Sequence, residues 1–152
     1  MNEISEKLKM TAVILAGGKS TRFGQDKAAV TFGDTTLLGH IHKLLNEIFE
    51  EVLIAGGAQQ HAGADYVNTI NDVYPDRGPL GGIHTGLVSA KYERCFVTAC
   101  DTPFLKGNLI RFICSFTDAD VVIPRSSNGK LHPLAAVYAK SCLAVIKKHL
   151  TG

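Results

Sequence analysis

Short apolar runs alternate along the chain with segments whose apolar residues recur at helical spacing. The first run, TAVIL at 11–15, is too short for a helix and predicts a strand that is buried on both faces. Further strands are predicted at 51–57, 66–70, 94–100, 119–124 and 133–138. Helices are predicted at 35–49, with Asp34 as N-cap, and at 79–91, 108–116 and 141–150.

This alternation of strand and helix predicts an α/β fold. Such chains build a mostly parallel sheet with helices on both faces, which makes three layers. A chain of 152 residues can bury one core, and no linker or repeat divides it. Residues 1–9 are polar and mixed in charge, so we expect a disordered extension there and a single domain over 10–152.

Composition and charge narrow the choice of function. A net charge of +2, with no run of basic residues, gives no reason to expect nucleic acid or an anionic membrane as partner. No apolar run approaches the roughly 18 residues that span a bilayer. The four cysteines lack CxxC spacing, which removes the usual zinc and thioredoxin interpretations and predicts reduced thiols in the cytoplasm.

The loop after the first predicted strand collects flexible backbone and positive charge. Its sequence is LAGGKSTRFGQDK, residues 15–27, and in open α/β sheets ligands bind beyond the carboxyl ends of the strands. Gly17 and Gly18 would let backbone N–H groups face an anion, Arg22 could offer a planar fork to phosphate oxygens, and Lys27 a point charge. The loop therefore predicts a phosphate site, the alternative being a glycine turn with solvated basic residues.

Two common phosphate-binding motifs do not fit this loop. The P-loop pattern that ends in GKS at 18–20 requires glycine at position 13, where the chain has Val13. The dinucleotide pattern GxGxxG, started at Gly17, requires glycine at position 19, where the chain has Lys19. The anion is therefore held by a different kind of loop.

The pattern L-A-G-G-x-S-x-R-F-G-x-D-K resembles the nucleotide-binding loop of the molybdenum cofactor guanylyltransferases. The resemblance implies a Rossmann-like nucleotidyltransferase domain that uses Mg²⁺ to transfer GMP from GTP to the phosphate of molybdopterin, releasing pyrophosphate. It also implies that Leu15 and Ala16 lie along the base, and that Arg22 and Lys27 act on the triphosphate beside Gly17 and Gly18. Proteins that deliver or receive the molybdenum cofactor would be further partners.

The stretch NDVYPDRGPLGGIHTGL at 71–87 is similar to the family's acidic residue followed by a G-P-L-x-G-I helix start. The resemblance makes Asp72 the contact to guanosine, with Asp76 as the alternative. Either carboxylate could instead cap a turn before Pro79. Gly81 and Gly82 would permit close helix packing or close approach of the base.

The stretch VTACDTPFL at 97–105 is similar to the family's strand-end motif, in which Asp101 would be a catalytic residue and the Mg²⁺ ligand. Asp101 could also be the N-cap of a helical turn at 102–105. In RSSNGKLHPLAAVY at 125–138, the resemblance makes Arg125, Lys130 and His132 candidates for the pterin phosphate, whereas a solvated hairpin tip would show the same residue types. The remaining histidines are predicted to form no site.

Two alternatives stay open from the sequence. One is a related cytidylyl- or uridylyltransferase that acts on another phosphate acceptor. The other is a GTP-binding protein without transfer activity, because the family usually continues for several tens of residues beyond the last predicted helix and this chain ends at Gly152.

Overall fold

The computed structural model describes residues 5–16, 31–33, 35–56, 68–102 and 105–152. In chain order, its strands and helices are β1 (Leu8–Leu15), β2 (Thr31–Phe32), β3 (Thr35–Thr36), α1 (Leu37–Ile48), β4 (Phe49–Ala55), β5 (Thr69–Ile70), α2 (Gly78–Ser89), β6 (Arg94–Ala99), α3 (Gly107–Cys114), β7 (Val121–Val122), β8 (Ala135–Ala139) and α4 (Leu143–Thr151). In these ranges no helix is both long enough and apolar enough to cross a membrane.

The main sheet has six strands in the order β5-β4-β1-β6-β8-β7. The four strands from β5 to β6 are mutually parallel, and β8 runs antiparallel to both of its neighbours, β6 and β7. The predicted α/β fold with a mostly parallel sheet is therefore confirmed. A separate two-stranded ladder joins β2 and β3.

The core has two halves, one on each face of the sheet. Successive side chains of a strand point to opposite faces, and β1 follows this rule. Ala12 and Ile14 belong to the cluster beneath α1 and α3, whereas Val13 and Leu15 belong to the cluster beneath α2 and α4. Because both sets are buried, the prediction that 11–15 is covered on both faces is confirmed.

The start of α1 differs from the prediction. The helix begins at Leu37, and its N-cap is Thr36, whose hydroxyl accepts a hydrogen bond from the Gly39 N–H at 3.0 Å. The assignment of Asp34 as N-cap was wrong, although Asp34 itself lies outside the described residues. The physical reason is that 35–36 is extended and pairs with 31–32 across Gly33, whose φ of +59° suits glycine.

Two strands begin earlier than predicted, because the predicted strands were started at the polar residues Thr11 and Glu51. β1 starts at Leu8, inside the segment predicted to be a disordered extension, because Leu8 pairs with Phe49 and packs against the core. β4 starts at Phe49 because that side chain is fully buried and stacks on Phe96, with ring centroids 5.7 Å apart.

The cysteines are packing residues. All four are free, and Cys95, Cys100 and Cys114 are buried. Burial raises the pKa of Cys95 and of Cys114 to about 12, so both thiols stay protonated at neutral pH.

Candidate active site

Four parallel strands end at one edge of the sheet, which we call the carboxyl edge. Leu15 pairs with Ala55 on one side and with Ala99 on the other, and Ala55 pairs with Ile70. The Ala16 N–H donates to the Ala55 carbonyl at 3.0 Å, so the β1–β4 pairing continues for one residue. The segments that follow β5, β4, β1 and β6 therefore all leave the sheet at the carboxyl edge, where ligands of such folds bind.

The predicted phosphate loop starts at this edge. Leu15 and Ala16 are buried at the end of β1, with Leu15 on the α2 side of the sheet and Ala16 on the α1 side. Gly17, Gly18, Arg22 and Lys27 lie outside the described residues, so their roles remain predictions.

Asp72 follows β5 by two residues and is half-buried. Its Oδ1 atom is shielded from solvent and has no hydrogen-bond partner within the described part of the chain. Burial raises the pKa of Asp72, and a hydrogen bond from the Thr85 side chain opposes this shift with a smaller effect. A carboxylate that is shielded and only partly satisfied is typical of a ligand-binding position.

Asp76, the alternative guanosine contact, occupies a different environment. It is exposed and has a φ of +60°, in the left-handed region that Asp tolerates better than most residues. Gly78, two residues later, has a φ of +63°. Asp76 therefore lies in the turn that leads into α2, which favours the structural role that the sequence left open for it.

Helix α2 packs very closely on β1 through its glycines. A Cβ atom added to Gly82 would lie 2.7 Å from Leu15 Cδ2, and one added to Gly86 would lie 2.6 Å from Val13 Cγ1. Close helix packing, one of the two roles predicted for Gly82, is confirmed.

Asp101 is exposed and follows β6 by two residues. The turn around it is held by Thr102, whose hydroxyl donates to the Ala99 carbonyl at 2.9 Å and lies 3.0 Å from the Thr98 hydroxyl. The Leu105 N–H donates to the Thr102 carbonyl at 3.3 Å. A tight turn thus places Asp101 at the carboxyl edge.

Asp72 and Asp101 mark two ends of this edge. β5 and β6 are separated by three strand intervals, which at about 4.8 Å each amounts to about 14 Å. The loop that begins after β1 departs between them. This arrangement suits an elongated ligand that meets one acid at each end and the end of β1 in the middle.

The three candidates for the pterin phosphate lie on a hairpin between β7 and β8. Arg125 forms an antiparallel bridge with Leu131, and the Ser126 N–H donates to the Lys130 carbonyl at 2.9 Å. Arg125 and Lys130 are exposed and His132 is half-buried. The hairpin alternative is confirmed, and a role for these residues in phosphate binding stays a prediction.

Sequence reasoning missed Thr85, which is 1% exposed. Its hydroxyl oxygen accepts a hydrogen bond from the Val73 N–H at 2.9 Å. The signal was helical spacing: Thr85 shares one face of α2 with Gly81, Gly82 and Gly86, all of them small and buried. A hydroxyl on a face otherwise occupied by glycines indicates a specific polar contact.

His84 is likewise buried, at 5% exposure, with its ring edge-on to Tyr74 at a centroid distance of 5.1 Å. Its Nδ1 has no hydrogen-bond partner among the described residues. Burial lowers the pKa of His84, and the charge of Lys147 acts in the same direction. The neutral imidazole therefore packs against Tyr74.

Replacing Asp72 by asparagine is expected to stabilise the fold by less than about 1 kcal/mol at neutral pH, because it removes a negative charge from a half-buried position where burial disfavours the ionised form. Burial raises the pKa of Asp72 in the folded state. The contribution of the Asp72 carboxyl group to the free energy of unfolding is therefore fully present below its pKa in the unfolded chain. That contribution is lost as the pH rises through its pKa in the folded protein.

Melting temperatures of wild type and Asp72→Asn, measured between pH 3 and pH 7, test this predicted difference in stability. The curves of wild type and Asp72→Asn should converge in acid and separate towards neutrality. Asp76→Asn, at an exposed position, is the matched control and should follow wild type throughout. A neutral-pH gain as large for Asp76→Asn as for Asp72→Asn would contradict the explanation.

The wound sheet, the glycine-bearing helix packed on its first strand and the acids at its carboxyl edge define an α/β protein of the Rossmann-like class. Within that class the chain belongs to the MobA-like NTP transferase domain family, whose sequence model matches residues 12–152.

Individual relatives agree with this assignment. The chain is 39% identical over 145 residues to the molybdenum cofactor guanylyltransferase of Desulfosudis oleivorans, covering 93% of this chain and 71% of that protein. The crystal structure of molybdopterin-guanine dinucleotide biosynthesis protein A from Archaeoglobus fulgidus superposes with a TM-score of 0.77 at 23% identity, covering 93% of this chain and 73% of that one.

A Mycobacterium tuberculosis protein, Rv0371c, was solved in complex with manganese and has the same fold. Its TM-score is 0.69 at 18% identity, over 93% of this chain and 76% of that chain. The family and the fold are thus established, and the chain is a nucleotidyltransferase by family.

Proposed function

We propose that this protein transfers GMP from GTP to the terminal phosphate of molybdopterin and releases pyrophosphate. The observation that carries the proposal is the pair of acids at the carboxyl edge, Asp72 half-buried and Asp101 exposed, with the end of β1 between them. Membership of the MobA-like family supports the reaction class, and similarity to the molybdenum cofactor guanylyltransferase of Desulfosudis oleivorans supports guanosine and the molybdenum cofactor.

The proposed step is an in-line displacement at the α-phosphorus of GTP. An oxygen of the acceptor phosphate forms a bond to that phosphorus, and the bond from the phosphorus to the oxygen bridging to the β-phosphate breaks. Pyrophosphate leaves with the electron pair. Such a reaction needs positioning and charge neutralisation more than covalent work by the protein. Gly17, Gly18, Arg22 and Lys27 are the proposed groups for the triphosphate, with Leu15 and Ala16 along the base.

Asp101 is the proposed ligand for Mg²⁺. Its carboxylate is a hard oxygen donor, exposed at the edge where the phosphates are expected. Among the described residues no three His, Cys, Asp or Glu side chains lie together as a complete metal site. One carboxylate fits Mg²⁺, which commonly binds through one or two protein oxygens, substrate phosphates and water. When bound, the ion would offset negative charge on the phosphate oxygens.

Asp72 is the proposed contact to guanosine. Guanine presents N1–H and N2–H₂ as adjacent donors, and a carboxylate can accept from both. The unpartnered, shielded Oδ1 supports Asp72 over Asp76, which is exposed in a turn. Arg125, Lys130 and His132 are the proposed contacts to the acceptor phosphate.

Pyrophosphate release tests the proposal. Purified protein is incubated with Mg²⁺ and GTP, CTP or UTP, each with and without molybdopterin, and binding of each nucleotide is followed by thermal shift. We expect release only with GTP and molybdopterin together. Release with CTP or UTP instead would overturn the guanosine assignment. Binding of GTP without release would identify a nucleotide-binding protein without transfer activity.

A further inference from the structure

We propose that Thr85 positions the Asp72 carboxylate for the nucleoside and thereby sets the preference for a base that offers hydrogen-bond donors to it. The proposal rests on the proposed function and adds a residue on α2 to the nucleoside site. Thr85 does not itself contact the nucleoside.

The first contact fixes the backbone. Thr85 is 1% exposed, and its Oγ1 accepts from the Val73 N–H at 2.9 Å. Val73 directly follows Asp72, so this bond holds the peptide on which the Asp72 side chain depends. The two residues are twelve apart in sequence, and helix α2 therefore anchors the β5–α2 segment from outside it.

The second contact fixes the side chain. A threonine hydroxyl has one proton to donate besides the lone pairs with which it accepts. Because Oγ1 accepts from the Val73 N–H, its proton remains to be donated. A donation from Thr85 to the Asp72 carboxylate opposes the rise that burial causes in the pKa of Asp72. One hydroxyl thus constrains both the backbone and the carboxylate of the segment.

The consequence is an oriented acceptor. With Thr85 donating to the carboxylate, Oδ1 remains without a partner in the described part of the chain and is shielded from water. A ligand N–H that hydrogen-bonds to Oδ1 would satisfy this unmet acceptor. Sites of this kind discriminate strongly against ligands that lack the donor, because the buried acceptor is then left unpaired.

Helix α2 is itself held firmly against the sheet. Gly82 and Gly86, which flank Thr85 on the same helix face, allow contact with Leu15 and Val13 of β1. A Cβ atom on Gly81 would lie only 3.0 Å from the Tyr74 carbonyl oxygen, so the segment after Asp72 also runs close to α2. Helix α2 therefore holds Thr85 against β1, whose residues 10–15 are all buried.

Thr11 offers a matched control. It is 0% exposed, its hydroxyl donates to Glu51 Oε1 at 2.7 Å, and it accepts from the Tyr92 N–H at 3.4 Å. The chemistry matches that of Thr85, with one carboxylate and one backbone N–H. Thr11 lies four residues before Leu15 on β1, about 13 Å from the carboxyl edge.

The experiment measures dissociation constants for GTP and inosine 5′-triphosphate, which lacks the N2 amino group, in the presence of Mg²⁺. Thr85→Val is expected to weaken GTP binding about tenfold, to weaken inosine triphosphate binding less, and so to reduce the preference for GTP. Thr85→Ser, which keeps the hydroxyl, should restore both the affinity and the preference. Thr11→Val should lower the melting temperature and leave the GTP affinity at the wild-type value.

The outcomes separate this inference from the proposed function. If Thr85→Val keeps wild-type GTP affinity and preference while Asp72→Asn loses them, Thr85 is not a positioning residue and the site stands. If wild type binds no GTP, or Asp72→Asn binds as wild type does, the nucleoside site is wrong and the inference falls with it. Should Thr85→Val fail to fold, Thr85→Ala removes the same hydroxyl and is held to the same criteria.

Discussion

Replacing Asp101 by alanine is expected to lower the rate of GTP-dependent pyrophosphate release by a factor of about 10³, the size of effect seen when one group that stabilises developing charge is removed. Asp101 is exposed in the turn after β6, so the melting temperature should change little. The loss would fall on the rate because the carboxylate is the proposed link between the protein and the metal-bound phosphates.

Two further measurements make this result specific. Asp118→Ala removes another exposed carboxylate and should release pyrophosphate at the wild-type rate. A Mg²⁺ titration of nucleotide binding should show that the ion strengthens GTP binding to wild type and has a much smaller effect in Asp101→Ala. Turnover of Asp101→Ala close to that of wild type would remove Asp101 from the catalytic residues.

The two acids differ in a way that fits their proposed roles. Asp72 is half-buried with one shielded oxygen, whereas Asp101 is exposed. A shielded carboxylate suits selection among bases, because unmet hydrogen bonds are expensive there. An exposed carboxylate suits a hydrated ion that keeps several of its waters. The same residue type thus serves two purposes through its environment.

The placement of Asp101 at the carboxyl edge could be predicted from the sequence. Apolar runs in the sequence predicted strands β1 and β6. Ligands bind beyond the carboxyl ends of parallel strands, so Asp101 was predicted to lie at the same edge as the start of the β1 loop. Asp72 came from the family resemblance, and the structure places it two residues after the short strand β5. Strand ends are local features, so local patterns locate them.

Other features depended on contacts distant in sequence. An apolar run does not encode strand direction, so the pattern could not show that β8 runs antiparallel to β6. The N-cap of α1 is Thr36 and not the predicted Asp34, because residues 35–36 pair with residues 31–32 before the helix starts. Helical spacing marked Thr85 as a polar residue on a buried face, but its partner, the Val73 N–H, could be identified only from the packing of α2 against that segment.

Gly86→Ala is expected to lower the free energy of unfolding by about 2–3 kcal/mol, a typical effect of overpacking a well-filled core. The new Cβ would lie 2.6 and 2.7 Å from the two Cγ atoms of Val13 and 3.1 Å from its Cβ. Val13 is 0% exposed, and a β-branched side chain cannot turn both methyl groups away from one neighbour. Helix α2 must therefore move off β1.

Gly82→Ala is the matched comparison on the same helix face. Its Cβ would meet Leu15 Cδ2 at 2.7 Å, but the next atom, Cγ, lies at 3.7 Å. Only the end of a flexible side chain has to shift, and replacing a helical glycine by alanine favours the helix by about 1 kcal/mol. The stability of Gly82→Ala should therefore stay within about 1 kcal/mol of wild type.

Urea denaturation of both variants, and of Gly86→Ala combined with Val13→Ala, checks this explanation. Val13→Ala removes both Cγ atoms, so the double variant should be more stable than the sum of the single effects predicts, by about 1 kcal/mol or more. Equal losses for Gly82→Ala and Gly86→Ala, or additive effects in the double variant, would contradict the steric account. Because Thr85 adjoins Gly86, a displaced α2 should also weaken GTP binding, and Val13→Ala should recover part of that loss together with the stability.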